Sequence, residues 1–287
     1  MRNRVPIRVA AALLLAWASL AAAAPRGAPE RVVALGGDIT ETVCLLGAQQ
    51  SLVGVDSTSL WPAAVTKLPD VGYVRQLGAE GVLALHPQLV IATHDAGPAT
   101  TITQLRDVGV ALELLPVSRT PADVAAKVRA IGRVLGREAQ AETLAAQVEH
   151  DYAALAARVA AMARHPRVMF LMSAGTGSPM AAGSDTAASR MIALAGGRNA
   201  VGGYDGYKPV SAEALAKEAP DVVVVMRETR DAVGDVAGVL RIPGMALTPA
   251  GKSRRVIFVD GQALLGFGPR SAAAALALQH ALAAASP

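Results

Sequence analysis

The stretch "TPADVAAKVRAIGRVLGREAQAETLAAQVEHDYAALAARVAAMARHP" (residues 120–166) decides how this chain is organised. It has no strand-like run, and its apolar residues recur at spacings of three and four, which predicts helix. The apolar face comprises Leu144, Val148, Tyr152, Leu155, Val159 and Met162. A helix from Arg137 to about Arg164 would be roughly 40 Å long at 1.5 Å per residue. Since a compact α/β layer needs no helix of that length, we predict that it links two lobes.

On the N-terminal side of this stretch, short β-branched runs alternate with helical patterns. Strands are predicted in the ranges 31–35, 51–56, 87–93 and 111–117. In the helix predicted within 36–48, Asp38 and Glu41 have the spacing of a capping box, and Gly47 is a C-terminal cap. Gly109 ends a second helix. Strands separated by helices indicate parallel α/β packing.

The same alternation resumes after residue 166. Strands are predicted at 167–173, 221–226 and 255–261, with a helix near 184–197 and an alanine-rich helix at the C-terminus. The predicted fold class is therefore α/β, with two Rossmann-like lobes (24–118 and 167–287) joined by a helical segment (119–166). Clefts at domain interfaces commonly hold small ligands, so we predict a ligand cleft between the lobes.

The two lobes also share a repeated passage. "GAEGVLALHPQLVIA" (78–92) aligns with "SAEALAKEAPDVVVV" (211–225), and each is preceded by a Gly-Tyr pair. The alignment places Glu80 opposite Glu213 and Tyr73 opposite Tyr207. Two similar lobes with equivalent helix starts indicate approximate two-fold symmetry across the linking helix.

Residues 1–23 have the pattern of an export signal. A basic start is followed by a short apolar core and the small-residue run 21–24, and we place the cut after Ala23. The lone Cys44 falls inside a predicted helix and away from the cut, which argues against a lipid anchor and excludes an internal disulfide. We therefore expect a periplasmic protein of about 264 residues whose stability depends on its core.

Charge and motifs exclude several classes of function. The full chain has 27 basic and 23 acidic residues, and three arginines leave with the signal, so the mature net charge is only +1. Without a basic stripe interleaved with aromatics, nucleic-acid binding is not expected. The nucleotide-binding glycine motifs and the G-x-S-x-G elbow are missing from the sequence, so an enzyme is not expected either.

The lobe–helix–lobe plan resembles the periplasmic binding proteins of ABC importers for metal chelates, which serve siderophores, cobalamin and haem. Within that group, the haem-binding members are similar in "GGDITE" (36–41), "VDSTSLWPAA" (55–64), "LPDVGYVRQLGAEG" (68–81), "GTGSPMAAGSDTAA" (175–188) and "LGFGPR" (265–270). The resemblance covers nearly the whole mature chain. It implies a protein that carries ferric haem b and is not an enzyme.

By this resemblance, Tyr73 is the axial ligand of the haem iron. Tyrosinate is a known ligand of ferric haem, and a neighbouring cation favours the phenolate. Arg75 would lie on the same side as Tyr73 if the segment is extended. Some relatives supply a second ligand, a histidine, from the other lobe, but Ser184 and Asp185 occupy that segment here. We therefore expect five-coordinate iron with tyrosine alone.

The resemblance further assigns Glu80 and Glu213 to docking on arginines of the permease. Acidic residues in a first helical turn also complement the helix dipole. This explains each glutamate by itself, but not why both lobes carry one at the same position of the repeat. Arg227 and His94 follow predicted strands at the edge where ligands of α/β sheets usually bind, so they are candidates for the haem propionates. Tyr207 is expected in the opposite wall of the cleft and not as a ligand.

The expected partners are haem, a permease dimer with its cytoplasmic ATPase, and an outer-membrane haem receptor upstream. The protein itself is expected to be a monomer, and the long helix predicts only small closure on ligand. Two alternatives stay open at this point. A siderophore or cobalamin binder has the same architecture, and a tyrosine-ligated haem enzyme of catalase type is not excluded by ligand type.

Overall fold

The computed structural model describes residues 28–173 and 179–284. The predicted export signal and its cleavage site therefore lie outside the described residues. Within the described ranges no helix is both long enough and apolar enough to cross a membrane. The structure consists of two α/β lobes, as predicted.

The N-terminal lobe contains a four-stranded parallel sheet. Its strands are β1 (Val32–Leu35), β2 (Leu52–Val55), β3 (Leu89–Thr93) and β4 (Ala111–Leu115), in the order β2-β1-β3-β4. Three α-helices connect them: α1 (Gly37–Leu45), α2 (Ala79–Leu83) and α3 (Ala99–Asp107). All residues of β1 are fully buried, as expected for a central parallel strand covered on both faces.

Two antiparallel helices follow, α4 (Pro121–Val134) and α5 (Glu138–Ala160). Thr120 and Asp123 form a capping box at the start of α4. The helices pack closely at Gly132, where an added Cβ would lie 2.2 Å from the Cβ of Ala141. With 23 residues, α5 is about 34 Å long, which is shorter than predicted. It ends at Ala160, ahead of the His165-Pro166 pair that directly precedes the next strand.

Helix α5 contributes to the cores of both lobes. Ala141 and Ala145, in its first half, belong to the core under the N-terminal sheet. Val148, Tyr152 and Leu155, in its second half, belong to the core of the other lobe. The predicted linking helix is thus confirmed, and α4 runs beside it as a second linking helix.

The C-terminal lobe has a mixed sheet. Its strands are β5 (Arg167–Ser173), β6 (Met180–Ala182), β7 (Arg198–Asn199), β8 (Tyr207–Pro209), β9 (Val222–Met226) and β10 (Val256–Val259). Strands β10, β9, β5 and β7 run parallel. On the side of β5 away from β9, β6 runs antiparallel to β5, and β8 runs antiparallel to β6. The sequence analysis missed β6, β7 and β8, because two- and three-residue strands give no periodic signal.

The helices of this lobe surround that sheet. They are α6 (Ala187–Leu194), α7 (Ala212–Glu218), α8 (Arg230–Val233), α9 (Val236–Leu240), α10 (Pro249–Lys252), α11 (Gly261–Leu265) and α12 (Ser271–Ala284). The repeat is visible in the connectivity. Helix α2 leads into β3, which pairs with β1, and α7 leads into β9, which pairs with β5.

The capping box predicted at the start of α1 is wrong. Gly36 is the N-cap and no side chain caps this helix, while Asp38 and Glu41 are buried in ion pairs with Lys127 and Arg270. Both carboxylates are buried and pair with basic side chains instead of capping the helix, because an unpaired buried charge is costly. The glycines predicted to end the helices are confirmed. Gly47 and Gly109 follow α1 and α3 and adopt φ of 71° and 84°.

The carboxyl ends of the two sheets face each other. Gln262, just after β10, bonds to the main chain of Gly37 and Leu60, which follow β1 and β2. Open α/β sheets bind their ligands outside the carboxyl ends of the strands. The cleft between the lobes is therefore the place where a ligand site is expected.

Candidate functional site

The loop 72–77 is fixed to its lobe by two buried residues. Val74 and Leu77 are 5 % and 4 % exposed and anchor it in the core. The backbone N–H of Leu77 donates to the carbonyl of Gly97 over 2.8 Å, and the N–H of Gly97 donates back to Val74 over 2.9 Å. With these residues turned inward, the side chains of Tyr73 and Arg75 point outward.

Tyr73 and Arg75 lie side by side, as predicted. A guanidinium N–H of Arg75 donates to the Tyr73 hydroxyl, and the guanidinium carbon lies 5.7 Å from the ring centroid. The segment is not extended, however. The N–H of Gln76 donates to the carbonyl of Tyr73 over 2.7 Å, so a tight turn brings the two side chains together. Tyr73 is 38 % exposed and available to a ligand.

Asp95 is a further member of this site that the sequence analysis did not identify. One of its carboxylate oxygens accepts from Nε and Nη2 of Arg75, over 2.9 and 2.5 Å. The hydroxyl of Thr93 donates to the other oxygen. Arg75 is thus held on one edge by Asp95 and bonded to Tyr73 on the other. The available signal was the polar run Thr93 to Asp95 directly after β3, at the carboxyl end of a strand.

The electrostatics of the three residues follow from this geometry. Partial burial raises the pKa of Asp95, but the bonds from Thr93 and Arg75 outweigh it and hold the pKa below its ordinary value. Partial burial likewise disfavours the charged form of Arg75, and the bonds to Tyr73 and Asp95 reverse this, so its pKa is raised. Asp95 is therefore an anion and Arg75 a fixed cation that donates to the phenol oxygen.

Tyr207, the repeat partner of Tyr73, is half-buried in β8 of the other lobe. Burial raises the pKa of its phenol, while hydrogen bonds to Ala188 and Thr186 and the positive charge of Arg75 lower it in part. Because Arg75 belongs to the N-terminal lobe, its effect on this pKa indicates that the two side chains lie within electrostatic range of each other. Tyr207 is thus less accessible to a ligand than the exposed Tyr73.

The remaining predicted site residues lie elsewhere at the sheet edges. His94 follows β3 and Arg227 begins a short 3-10 turn after β9, both with exposed side chains. Among the described residues, neither side chain joins the bonds between Tyr73, Arg75 and Asp95. Asp185, in the segment where some relatives have a histidine, bonds to Arg119 and Arg190.

Glu80 and Glu213 occupy equivalent places in the two lobes. Each is the second residue of its helix, α2 or α7, and each is exposed. The side chain of Ser211 caps α7 by accepting from the N–H of Ala214 over 3.1 Å, whereas Gly78 leaves α2 without a side-chain cap. The equivalence predicted from the repeat is thus present in the structure.

The structure has two α/β lobes joined by linking helices. A cleft lies between the strand ends, and an exposed tyrosine lies at its edge. This architecture defines a two-lobed substrate-binding protein. The chain belongs to the periplasmic binding protein family, which matches residues 32–263. Members of this family bind substrates for transport.

Several known proteins are similar to this chain. The apo form of the periplasmic heme-binding protein RhuT from Roseiflexus sp. RS-1 is 42 % identical, with a TM-score of 0.84, over 89 % of this chain and 98 % of that one. The periplasmic heme-binding protein BhuT in complex with two hemes is 40 % identical, with a TM-score of 0.84, over 90 % and 99 %. A cobalamin-binding protein of Halobacterium salinarum is 32 % identical over 68 % of this chain and 53 % of its own length.

Proposed function

We propose that this protein binds ferric haem b in the interlobe cleft through Tyr73 and delivers it to an ABC permease. The observation that carries the proposal is the exposed Tyr73 hydroxyl, bonded to an arginine that Asp95 holds in place. The similarity to heme-binding proteins over almost their whole length supports it. The protein is then a carrier and not an enzyme.

The chemistry of the site suits ferric haem. A phenolate is a hard anionic donor, and the Arg75 N–H that donates to its oxygen favours the anion. Asp95 neutralises part of the arginine charge and fixes the direction of that N–H. Tyrosine ligation also favours the ferric over the ferrous state, which fits an oxidising compartment. The histidine that some relatives supply is missing from residues 174–188 in the sequence, so the proposed iron is five-coordinate.

Other parts of the cleft serve the rest of the ligand in this proposal. Leu60 is 47 % exposed in the loop beside residue 72, to which the N–H of Ser57 donates over 3.1 Å. It offers apolar surface to the porphyrin ring. Arg227 and His94, exposed at the strand ends of opposite lobes, are the proposed partners of the propionates.

The cellular setting is part of the same proposal. The chain is exported with cleavage after Ala23 and acts in the periplasm as a monomer. It receives haem that entered through an outer-membrane receptor. Glu80 and Glu213 dock on the permease dimer, whose cytoplasmic ATPase drives import.

Hemin titration of the purified apo-protein tests the haem proposal. We expect a high-spin ferric tyrosinate spectrum for the wild type, and its loss in Tyr73→Phe and Tyr73→Ala. Tyr207→Phe is the matched control, because it removes the facing hydroxyl and keeps the ligand. A tyrosinate spectrum that persists in Tyr73→Phe would remove Tyr73 as the ligand, and a wild type that does not bind hemin would refute the haem proposal.

Cobalamin is the second candidate, because a curated cobalamin-binding protein is 32 % identical over two thirds of this chain. The same apo-protein titrated with cyanocobalamin separates the two. Under the haem proposal hemin binds and cyanocobalamin does not. Binding of cyanocobalamin in preference to hemin would make the cobalamin candidate the function.

A further inference from the structure

Two motifs noted in the sequence, "GGDITE" (36–41) and "LGFGPR" (265–270), meet across the boundary between the lobes. The first comprises the start of α1 in the N-terminal lobe, and the second connects α11 to α12 in the C-terminal lobe. The haem site described above involves neither motif. The contact between them is therefore separate from the haem site.

The centre of the contact is an ion pair between Glu41 and Arg270. Glu41 is only 1 % exposed. One of its carboxylate oxygens accepts the backbone N–H of Arg270 over 2.7 Å, and the other accepts Nε over 2.8 Å. Both oxygens of a buried carboxylate are thus engaged by one residue of the opposite lobe. Such a pair resists separation, because opening it leaves a desolvated charge without a partner.

The arginine is fixed from two further directions. Nη1 of Arg270 donates to Asp260 over 3.1 Å, within its own lobe. On the other side, the ring of Trp61 from the N-terminal lobe lies 4.3 Å from the guanidinium carbon. This cation–π contact is a second interlobe interaction of the same side chain.

Gln262 makes a separate link across the boundary. Its amide nitrogen donates to the carbonyl of Gly37 over 2.9 Å, and its amide oxygen accepts the N–H of Leu60 over 2.7 Å. Both are main-chain groups of the N-terminal lobe: Gly37 begins α1 directly after β1, and Leu60 lies in the loop after β2. One side chain therefore holds two segments of the other lobe.

Small residues allow the motifs to approach so closely. A Cβ added to Gly268 would lie 3.2 Å from the Cα of Asp38 and 3.2 Å from Oε1 of Glu41. A Cβ added to Gly37 would lie 2.9 Å from the side-chain amide carbon of Gln262. Gly268 thus allows the close contact between the lobes, and Gly37 is confined both by Gln262 and by the Thr58 carbonyl of its own lobe, 2.7 Å from such a Cβ.

We propose that Glu41, Gln262 and Arg270 form an interlobe clamp that sets the relative orientation of the lobes and hence the width of the ligand cleft. The linking helices connect the lobes along one axis. By themselves they would allow one lobe to rotate relative to the other about that axis. The clamp attaches the lobes at a second place, between the strand ends, and removes this rotation. Its three members are positioning residues that act on the ligand through the lobe orientation.

Distance measurements between spin labels test the clamp. The labels are placed by Lys67→Cys and Lys217→Cys, exposed positions on opposite lobes, in a Cys44→Ala background. In this apo-protein we expect one narrow label-to-label distance distribution. Arg270→Gln and Glu41→Gln broaden it and shift its mean. An unchanged distribution in both variants would overturn the proposal.

Asp38→Asn is the matched control. Asp38 lies one turn before Glu41 on α1 and forms another buried ion pair, with Lys127 of α4 over 2.6 Å, which does not join the lobes. We expect it to lower the melting temperature and leave the distance distribution narrow. Broadening equal to that of Arg270→Gln would indicate general loosening and overturn the proposal.

Gly268→Ala provides a variant that keeps every charged group. Its methyl group would press on Asp38 and Glu41, so we expect a shifted mean distance in a folded protein. An unshifted mean would show that this contact does not set the lobe orientation. This variant keeps the test decisive if the loss of a buried charge prevents folding of Glu41→Gln or Arg270→Gln.

Discussion

At the scale of single residues, the site depends on how one arginine is shared. Arg75 donates to Tyr73 with one edge of its guanidinium and to Asp95 with the other. Because Asp95 accepts two N–H groups of the guanidinium, it fixes the direction of Arg75 as well as balancing its charge. Without Asp95, the Arg75 side chain, which is about half exposed, would sample other rotamers. The Tyr73 oxygen would then accept a hydrogen bond from Arg75 only part of the time.

We expect Asp95→Asn to bind hemin with an altered tyrosinate spectrum and to release it faster than the wild type. The reason is that Arg75 loses its charged partner and is free to leave the phenol oxygen. Absorption spectra and the rate of haem transfer to apomyoglobin measure the two effects. Asp107→Asn, an exposed acid at the end of α3, is the control and should match the wild type. Identical spectra and rates for Asp95→Asn would remove Asp95 from the site.

At the scale of secondary-structure elements, α5 joins the two lobes through a polar contact as well as apolar ones. Tyr152 is 5 % exposed, and its hydroxyl lies 2.6 Å from the hydroxyl of Ser271, the first residue of α12. Burial raises the pKa of the phenol to about 12, and the bond to Ser271 only partly offsets this. The contact lies at the point where α12 begins, directly after Arg270.

This raised pKa predicts a loss of stability in alkali. In the unfolded chain a phenol ionises near pH 10, whereas Tyr152 in the folded protein stays neutral to about pH 12. Between these two pH values the free energy of unfolding therefore falls progressively, by up to about 2.7 kcal/mol in total. Chemical denaturation from pH 8 to 12 should show this loss in the wild type and a smaller loss in Tyr152→Phe.

The same variant should be less stable than the wild type by about 1 kcal/mol at pH 8, because it lacks the bond to Ser271. The difference between the two proteins then shrinks as the pH rises above 10 and changes sign before pH 12, because the linkage loss in the wild type exceeds about 1 kcal/mol. Parallel stability curves over the whole range would show that Tyr152 ionises normally in the folded protein.

At the scale of the whole molecule, the repeat gives the protein two equivalent exposed glutamates. Glu80 and Glu213 start helices that lead into equivalent strands of the two lobes. A helix dipole accounts for either one, since an acid in the first turn is stabilising. A permease dimer with a basic residue in each half would engage both at once, which gives a reason for the pair.

Charge reversal at these positions tests the docking proposal. Glu80→Lys and Glu213→Lys should each reduce, and together abolish, the stimulation of ATPase activity by the haem-loaded protein in liposomes containing the transporter. Hemin spectra should stay unchanged, because neither residue belongs to the cleft. Asp107→Lys is the control for charge alone. Full stimulation by the double variant would leave the glutamates with only their helix-dipole role.

The sequence by itself determined the α/β class, the linking helix, the outward pair Tyr73 and Arg75, and the equivalence of Glu80 and Glu213. These features are encoded locally, in periodicity, glycine positions and spacings of a few residues. The same local rules gave the wrong capping box at Asp38 and Glu41, because they do not include the partners that the fold supplies. They also missed β6, β7 and β8, which are too short to show a period.

Only the tertiary structure decided which distant groups meet. Asp95 reaches Arg75 from 20 residues away, and Glu41 reaches Arg270 from 229 residues away. Gln262 reaches Gly37 from 225 residues away, because the carboxyl ends of the two sheets are turned toward each other. Such pairings depend on how whole lobes pack. The local spacing of residues does not encode these pairings. They are favoured only because folding buries both partners together, where neither could be left unpaired.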